Sequence, residues 1–349
     1  MPACSIEPVR LQLRSPLNTA WGQLRRRELL RVRLTWPDGS WGEGEAAPLE
    51  HYDGVSMAAV RSALDAYAAV LAGADDASEP DLLAACAAER PLPQALAAID
   101  LALWDHAGRR AGVPVATLLA PGAARSVFVN ATISAHDRAD AAQQAARAAA
   151  EGYICVKVKV GFGDDAGRVA AVRAGAGPRM AIRVDANGAW AHPAEALANL
   201  RSLVGAGIEL AEEPVHGVGA LRELREDSPI PISMDETAAE PGAVEAGAVD
   251  AVCLKISRCG GISGLMRQAQ AARAAGAHVY VASTFDGPSG VAAGLHAAAA
   301  LTVGGPVAPC GLATLPWFAD SPDVLPISDG TMYVPSGPGL LGMTGPNRP

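Results

Sequence analysis

The sequence predicts an α/β protein, a (β/α)7β TIM-like barrel with an N-terminal α+β capping domain, and three observations predict it. Short apolar runs alternate with Ala-rich stretches from residue 126 onward. Their starts recur roughly every 20 to 28 residues, the spacing of repeated βα units rather than of a hairpin sheet. Charged side chains collect at the C-terminal ends of these runs, where barrels carry their chemistry.

Residues 1–120 form the predicted cap, completed by residues 326–349, and residues 121–325 form the predicted barrel. Within the cap, 5–14 and 28–36 alternate as strands do, and Trp36-Pro37-Asp38-Gly39-Ser40 reads as a hairpin turn leading to Trp41-Gly42-Glu43. Helical patterns follow at 55–72, 79–88 and 93–111. The barrel strands are expected at 126–133, 153–160, 180–185, 208–212, 230–235, 250–255, 278–284 and 306–310. Asp137 precedes one helical run, Pro193 opens another, and Gly152, Gly207 and Gly276 follow helix ends. Residues 326–349, rich in Gly and Pro, are expected to run back over the cap.

Composition narrows the function. A chain of 349 residues with 50% hydrophobic side chains can fill a large core. A formal net charge of −9, with no basic run longer than Arg25-Arg26-Arg27, argues against nucleic acid. No charged-then-apolar leader and no membrane-length apolar stretch is seen, so a cytoplasmic protein away from membranes is expected. The cysteines at 4, 86, 155, 253, 259 and 310 lack C-x-x-C spacing and read as reduced packing residues.

The strand ends carry the candidate chemistry. Lys157 and Lys159 lie two apart and share one face, while Val156, Val158 and Val160 share the other. Asp185, Glu212 and Asp235 end three consecutive strands, whose neighbours stand about 4.8 Å apart. Three ionised carboxylates at that distance are costly unless a cation joins them. An all-oxygen set suits Mg2+, with Mn2+ as substitute, better than zinc, and no Cys or His spacing competes. Lys159 and Lys255 would then approach a bound substrate from opposite sides, with Lys157 as a second ammonium beside them. A metal-bound carboxylate acidifies its α-proton, because the enediolate gains charge beside the cation and Lys157. Proton abstraction α to a carboxylate is the inferred reaction class. Taken singly, each motif has an ordinary reading: a protected sheet edge, a helix cap, a polar turn. In register over five strands they point to one site.

The motifs Lys157-Val-Lys159, Asp185-Ala-Asn187, Glu212-Glu-Pro214, Asp235-Glu236 and Lys255-Ile-Ser-Arg-Cys-Gly-Gly261 resemble the muconate-lactonizing-enzyme subgroup of the enolase superfamily, over nearly the whole chain. Lysine bases beside Mg2+ are a recognised pairing there. The resemblance implies Asp185, Glu212 and Asp235 as metal ligands, Lys159 and Lys255 on the two sides of the substrate, and Lys157 supporting the enolate. It implies that Asn187, Glu213 and Glu236 orient these groups. The subgroup often has Gln where this chain has Glu213 and Ala where it has Met234; alternation favours Glu212 over Glu213 as ligand.

A small carboxylate substrate and a homo-oligomer are expected. In the resembled family the cap closes over the barrel mouth, so the loops at 15–25 and 46–55 are candidate lids. Their Trp21, His51 and Tyr52 either touch substrate or pack cap against barrel. Asn130 and Thr132 share a face, suited either to the mouth or to ordinary packing. Asp286-Gly-Pro-Ser-Gly290 opens a helix after strand seven and either holds a substrate carboxylate or simply turns the chain. The Gly161-Phe-Gly163-Asp-Asp-Ala-Gly167 stretch has the wrong final spacing for a dinucleotide fingerprint and reads as a capped turn. Dipeptide epimerases typically carry Asp-x-Asp near the last strand, whereas residues 306–318 contain no acid. Phe128-Val129-Asn130-Ala131-Thr132-Ile133 resembles o-succinylbenzoate synthases, so that dehydration is the leading expectation. Racemisation of N-acylamino acids, epimerisation of dipeptides and muconate cycloisomerisation are the alternatives.

Overall fold

Alternation near the N-terminus folds as one long antiparallel hairpin. In the computed structural model, β1 (Ala3–Thr19) pairs with β2 (Gly22–Thr35), and β3 (Trp41–Ala46) lies on the other side of β2. The structure describes residues 2–19, 22–74, 77–321 and 323–342. Val32 and Leu34 turn inward from β2 and pack on Val60, Leu64, Tyr67 and Leu71 of the helix Met57–Gly73. On β3, Gly42 and Gly44 press against the Ala102 and Ala98 carbonyls of the helix Pro93–Ala111, where any Cβ would collide. Close backbone approach is the reason for glycine inside this strand.

The expected first barrel strand is divided. β4 (Ser126–Phe128) belongs to a small separate sheet, and only β5 (Ala131–Ile133) joins the barrel. Partners change in between: Val129 N donates to Gly330 O and Asn130 N to Cys310 O. β5 is followed in spatial as in chain order by β6 (Cys155–Lys159), β7 (Ala181–Asp185), β8 (Ile208–Glu212), β9 (Ile232–Met234), β10 (Ala251–Lys255) and β11 (His278–Ala282), all parallel. The strand expected at 306–310 does not form. Cys310 bridges Val129 and Gly311 bridges Ala282, so two isolated contacts link the ends of the curled sheet. Pro306 and Pro309 remove the N–H donors that a regular strand would need.

Helix signals act as read. Asp137 caps Arg138–Ala150 by accepting from Asp140 N at 2.8 Å, and Asp164 caps Asp165–Ala176 by accepting from Gly167 N at 3.0 Å. The C-terminal segment departs from expectation. β12 (Ile327–Ser328) pairs with β13 (Thr331–Tyr333), which in turn pairs with β4, and only then does Gly339 exchange backbone bonds with Val113 and Val115. Buried His296 joins the parts, accepting from Ala116 N and donating to Leu340 O; burial pushes its pKa down to about 4 and keeps the ring neutral. Among the described residues no helix is long and apolar enough to cross a membrane.

Candidate active site

Register brings the strand ends together. Lys159 pairs with Asp185, Asp185 with Glu212, and Glu212 with Ser233 across β6, β7, β8 and β9, so their side chains meet at one end of the barrel. Lys157 Nζ lies 2.8 Å from Asp185 Oδ2 and 3.0 Å from Glu212 Oε1, bridging two carboxylates. Lys159 Nζ donates to the same Asp185 oxygen at 2.7 Å and to Asn187 Oδ1 at 2.6 Å. Lys255 pairs with Asp235 Oδ2 and donates to the Tyr52 hydroxyl at 2.6 Å. Two lysines therefore flank the acids, each bound to a different carboxylate.

The charges support one another. Burial disfavours ionisation of Asp185, yet Lys157 and Lys159 hold it well below the usual carboxylate range. Burial likewise opposes charge on Asp235, but Lys255 and Arg258 hold it low. Glu212 is raised: burial lifts it, Lys157 pulls it down, and Asp185 and Asp235 lift it again. Desolvation would neutralise Lys157 and Lys255, but the facing carboxylates outweigh it and keep both as ammonium ions.

Residues expected to orient these groups sit around them. Glu213 turns away from Glu212, accepts from Asp235 N at 2.7 Å and Thr237 N at 3.0 Å, and pairs with His216. It fixes the backbone that carries Asp235. Asn187 links Lys159 to Glu236, donating to Glu236 Oε1 at 2.8 Å. Asn187 and Glu213 have φ of 46° and 40°, left-handed values that bulky residues hold only under constraint. Burial and Asp235 push Glu236 up to about 8, and its Oε2 is buried without a hydrogen-bond partner.

The remaining predicted residues divide. Tyr52, on the short helix Glu50–Asp53, enters the site and donates to Asp235 Oδ1 at 2.9 Å. His51 beside it is exposed. Trp21 lies outside the described residues. Thr132 pairs in register with Lys157, while Asn130 is buried with its amide directed to Ala131 O at 3.4 Å. Asp286 is 2% exposed, and both its oxygens accept from Thr284. The helix N-terminus that it opens is filled from the cap: Glu45 Oε1 accepts from Gly287 N at 2.5 Å. That helix start is thus taken by the protein's own carboxyl group.

Sequence reasoning missed three neighbours. Arg258, inside the motif that begins at Lys255, donates to the Tyr52 hydroxyl at 3.0 Å and to the carbonyls of Asp235 and Glu236. Its position one helical turn after Lys255 was the available signal. Tyr280 donates to Glu212 Oε2 at 2.7 Å. Cys253, expected only to pack, places its sulfur within 4.8 Å of oxygens from Glu212 and Asp235, a proximity across strands that linear spacing does not display. Glu212 and Asp235 offer oxygen donors suited to a hard divalent cation, Asp185 is linked to Glu212 through Lys157, and one buried Glu236 oxygen is left without a partner.

Residues 140–344 match the family described as Enolase C-terminal domain-like, and residues 3–120 match the Mandelate racemase / muconate lactonizing enzyme N-terminal domain. The chain belongs to the enolase superfamily. Within it, the muconate-lactonizing-enzyme subgroup holds its relatives. L-Ala-D/L-Glu epimerase of Bacillus subtilis is 29% identical over 83% of this chain and 82% of its own. Muconate cycloisomerase 1 of Rhodococcus opacus is 31% identical over 89% and 87%. The crystal structure of N-succinyl Arg/Lys racemase from Bacillus cereus superposes with a TM-score of 0.90 at 27% identity, covering 98% of this chain and 94% of that one. This superfamily member is accordingly an enzyme, and the relatives that it matches are isomerases.

Proposed function

We propose that the protein is a Mg2+-dependent racemase or epimerase that moves the proton α to the carboxylate of an N-acylated amino acid. The observation that carries this reading is the placement of Lys159 and Lys255 on different sides of one acid cluster, bound to Asp185 and Asp235 respectively. Asp185, Glu212 and Asp235 would hold the cation. When bound, Mg2+ would neutralise the charge that builds on the substrate's carboxylate as the α-proton leaves.

The chain's own groups do the rest. A lysine removes a proton only as a neutral amine, and delivers one as an ammonium. Lys159 serves one face of the α-carbon and Lys255 the other, so inversion needs one in each state. Lys157 stays charged between Asp185 and Glu212 and supplies a fixed positive charge. Tyr52 and Arg258 keep Lys255 directed, and Asn187 does the same for Lys159.

Isomerisation has more support than the dehydration suggested by residues 128–133, since the relatives found are epimerases, racemases and cycloisomerases. An N-acyl substrate fits better than a free dipeptide because residues 306–318 supply no acid for a buried ammonium, which is costly to leave unpaired. Polarimetry with Mg2+ tests the choice. Loss of rotation with N-succinyl or N-acetyl amino acids supports the proposal; change with dipeptides or muconate alone assigns the site to those substrates instead.

A further inference from the structure

We propose that Tyr280 is a positioning residue for the cation site, fixing Glu212 from the floor of the barrel. The inference rests on the reading of Asp185, Glu212 and Asp235 as cation ligands. Tyr280 lies on β11, in register with Cys253 on β10 and one inward-facing position below Ala282, the partner of Lys255. From there its ring reaches Glu212 on β8, and its hydroxyl donates to Oε2 at 2.7 Å. Ser233 on β9 shares that hydroxyl at 3.0 Å. An ionised carboxylate can only accept, so the Tyr280 proton points to Glu212 and Ser233 donates to Tyr280.

The ring is itself held. Arg183 stacks over it, 5.0 Å from guanidinium carbon to centroid, and is anchored by donating to Pro309 O at 2.8 Å. Arg183, Tyr280 and Ser233 are each no more than 2% exposed. Glu212 is thereby fixed at both oxygens, Oε1 by Lys157 and Oε2 by Tyr280. Such restraint matters because the terminal torsion of a glutamate is broad and lets an unheld carboxylate rotate. Partners of ligating carboxylates set ligand orientation and thereby metal affinity. Phenylalanine would fill the same space and lack the donor.

Electron paramagnetic resonance of free Mn2+ measures the affinity directly. Tyr280→Phe is expected to weaken Mn2+ binding about 10- to 100-fold, whereas Ser233→Ala, which leaves the Tyr280 to Glu212 bond in place, keeps affinity near the wild-type value. Melting curves establish that each variant is folded. Turnover of Tyr280→Phe is expected to recover at high Mg2+, which a merely structural defect would not do. A folded Tyr280→Phe protein with wild-type Mn2+ affinity overturns the inference alone. Wild-type protein that binds no Mn2+ overturns it together with the proposed function.

Discussion

Tyr52 donates its hydroxyl proton to Asp235 across 2.9 Å, so a residue of the N-terminal cap completes the hydrogen bonding of a barrel carboxylate. The same hydroxyl accepts from Lys255 at 2.6 Å and from Arg258 at 3.0 Å, and the Lys255 ammonium lies 4.8 Å from the ring centroid. Cap and barrel are joined through side chains of the candidate site.

Tyr52→Phe removes this junction while keeping the ring. Hydrogen bonds to charged groups contribute about 1.5–3 kcal/mol, so kcat/KM is expected to fall roughly 10- to 100-fold. Steady-state kinetics check this, and a change confined to melting temperature would show that Tyr52 only ties the cap down.

Metal removal gives a second outcome. Dialysis against a chelator should abolish turnover, with Mg2+ or Mn2+ restoring it. Asp235→Asn should lose tight Mn2+ binding and also destabilise the fold, because Lys255 is left as a buried cation with its main partner gone; breaking such a pair costs about 3–5 kcal/mol. Titration calorimetry and melting curves read the two effects.

Stability should also depend on pH through Glu45. Burial, with Asp286 nearby, pushes its carboxyl up to about 8 against the opposing backbone donors of Gly287, Gly290 and Ser289. A carboxyl raised on folding binds its proton more tightly in the native state. Its stabilising contribution is complete below the unfolded value and is lost as pH rises toward about 8. Melting temperature should therefore fall between about pH 5 and pH 8 and level off above that, and Glu45→Gln should flatten that slope, by about one proton's worth of linkage. An unchanged slope in the variant would remove Glu45 as the cause.

The acid and lysine positions were legible because strand alternation and βα spacing reveal which residues reach the mouth. Lys157, Lys159, Asp185 and Glu212 follow from a period of two within each strand and from the order of strands. Tyr280 and Cys253 were not legible, since they become neighbours of Glu212 only when the sheet curls. Glu45 was hidden for a related reason: it reaches a helix start 242 positions away. The break at Val129-Asn130 arose from a change of backbone partners, which apolar runs do not report, whereas the missing strand at 306–310 follows from Pro306 and Pro309, which lack N–H donors.

Proton NMR in D2O with both enantiomers of an N-acylamino acid is the most direct test of paired lysine chemistry. The wild type with Mg2+ should incorporate α-deuterium from either enantiomer, while Lys159→Ala and Lys255→Ala each retain exchange with at most one, and opposite, enantiomer and neither racemises. Near-normal racemisation by Lys159→Ala, or exchange of one enantiomer only by the wild type, would contradict the account.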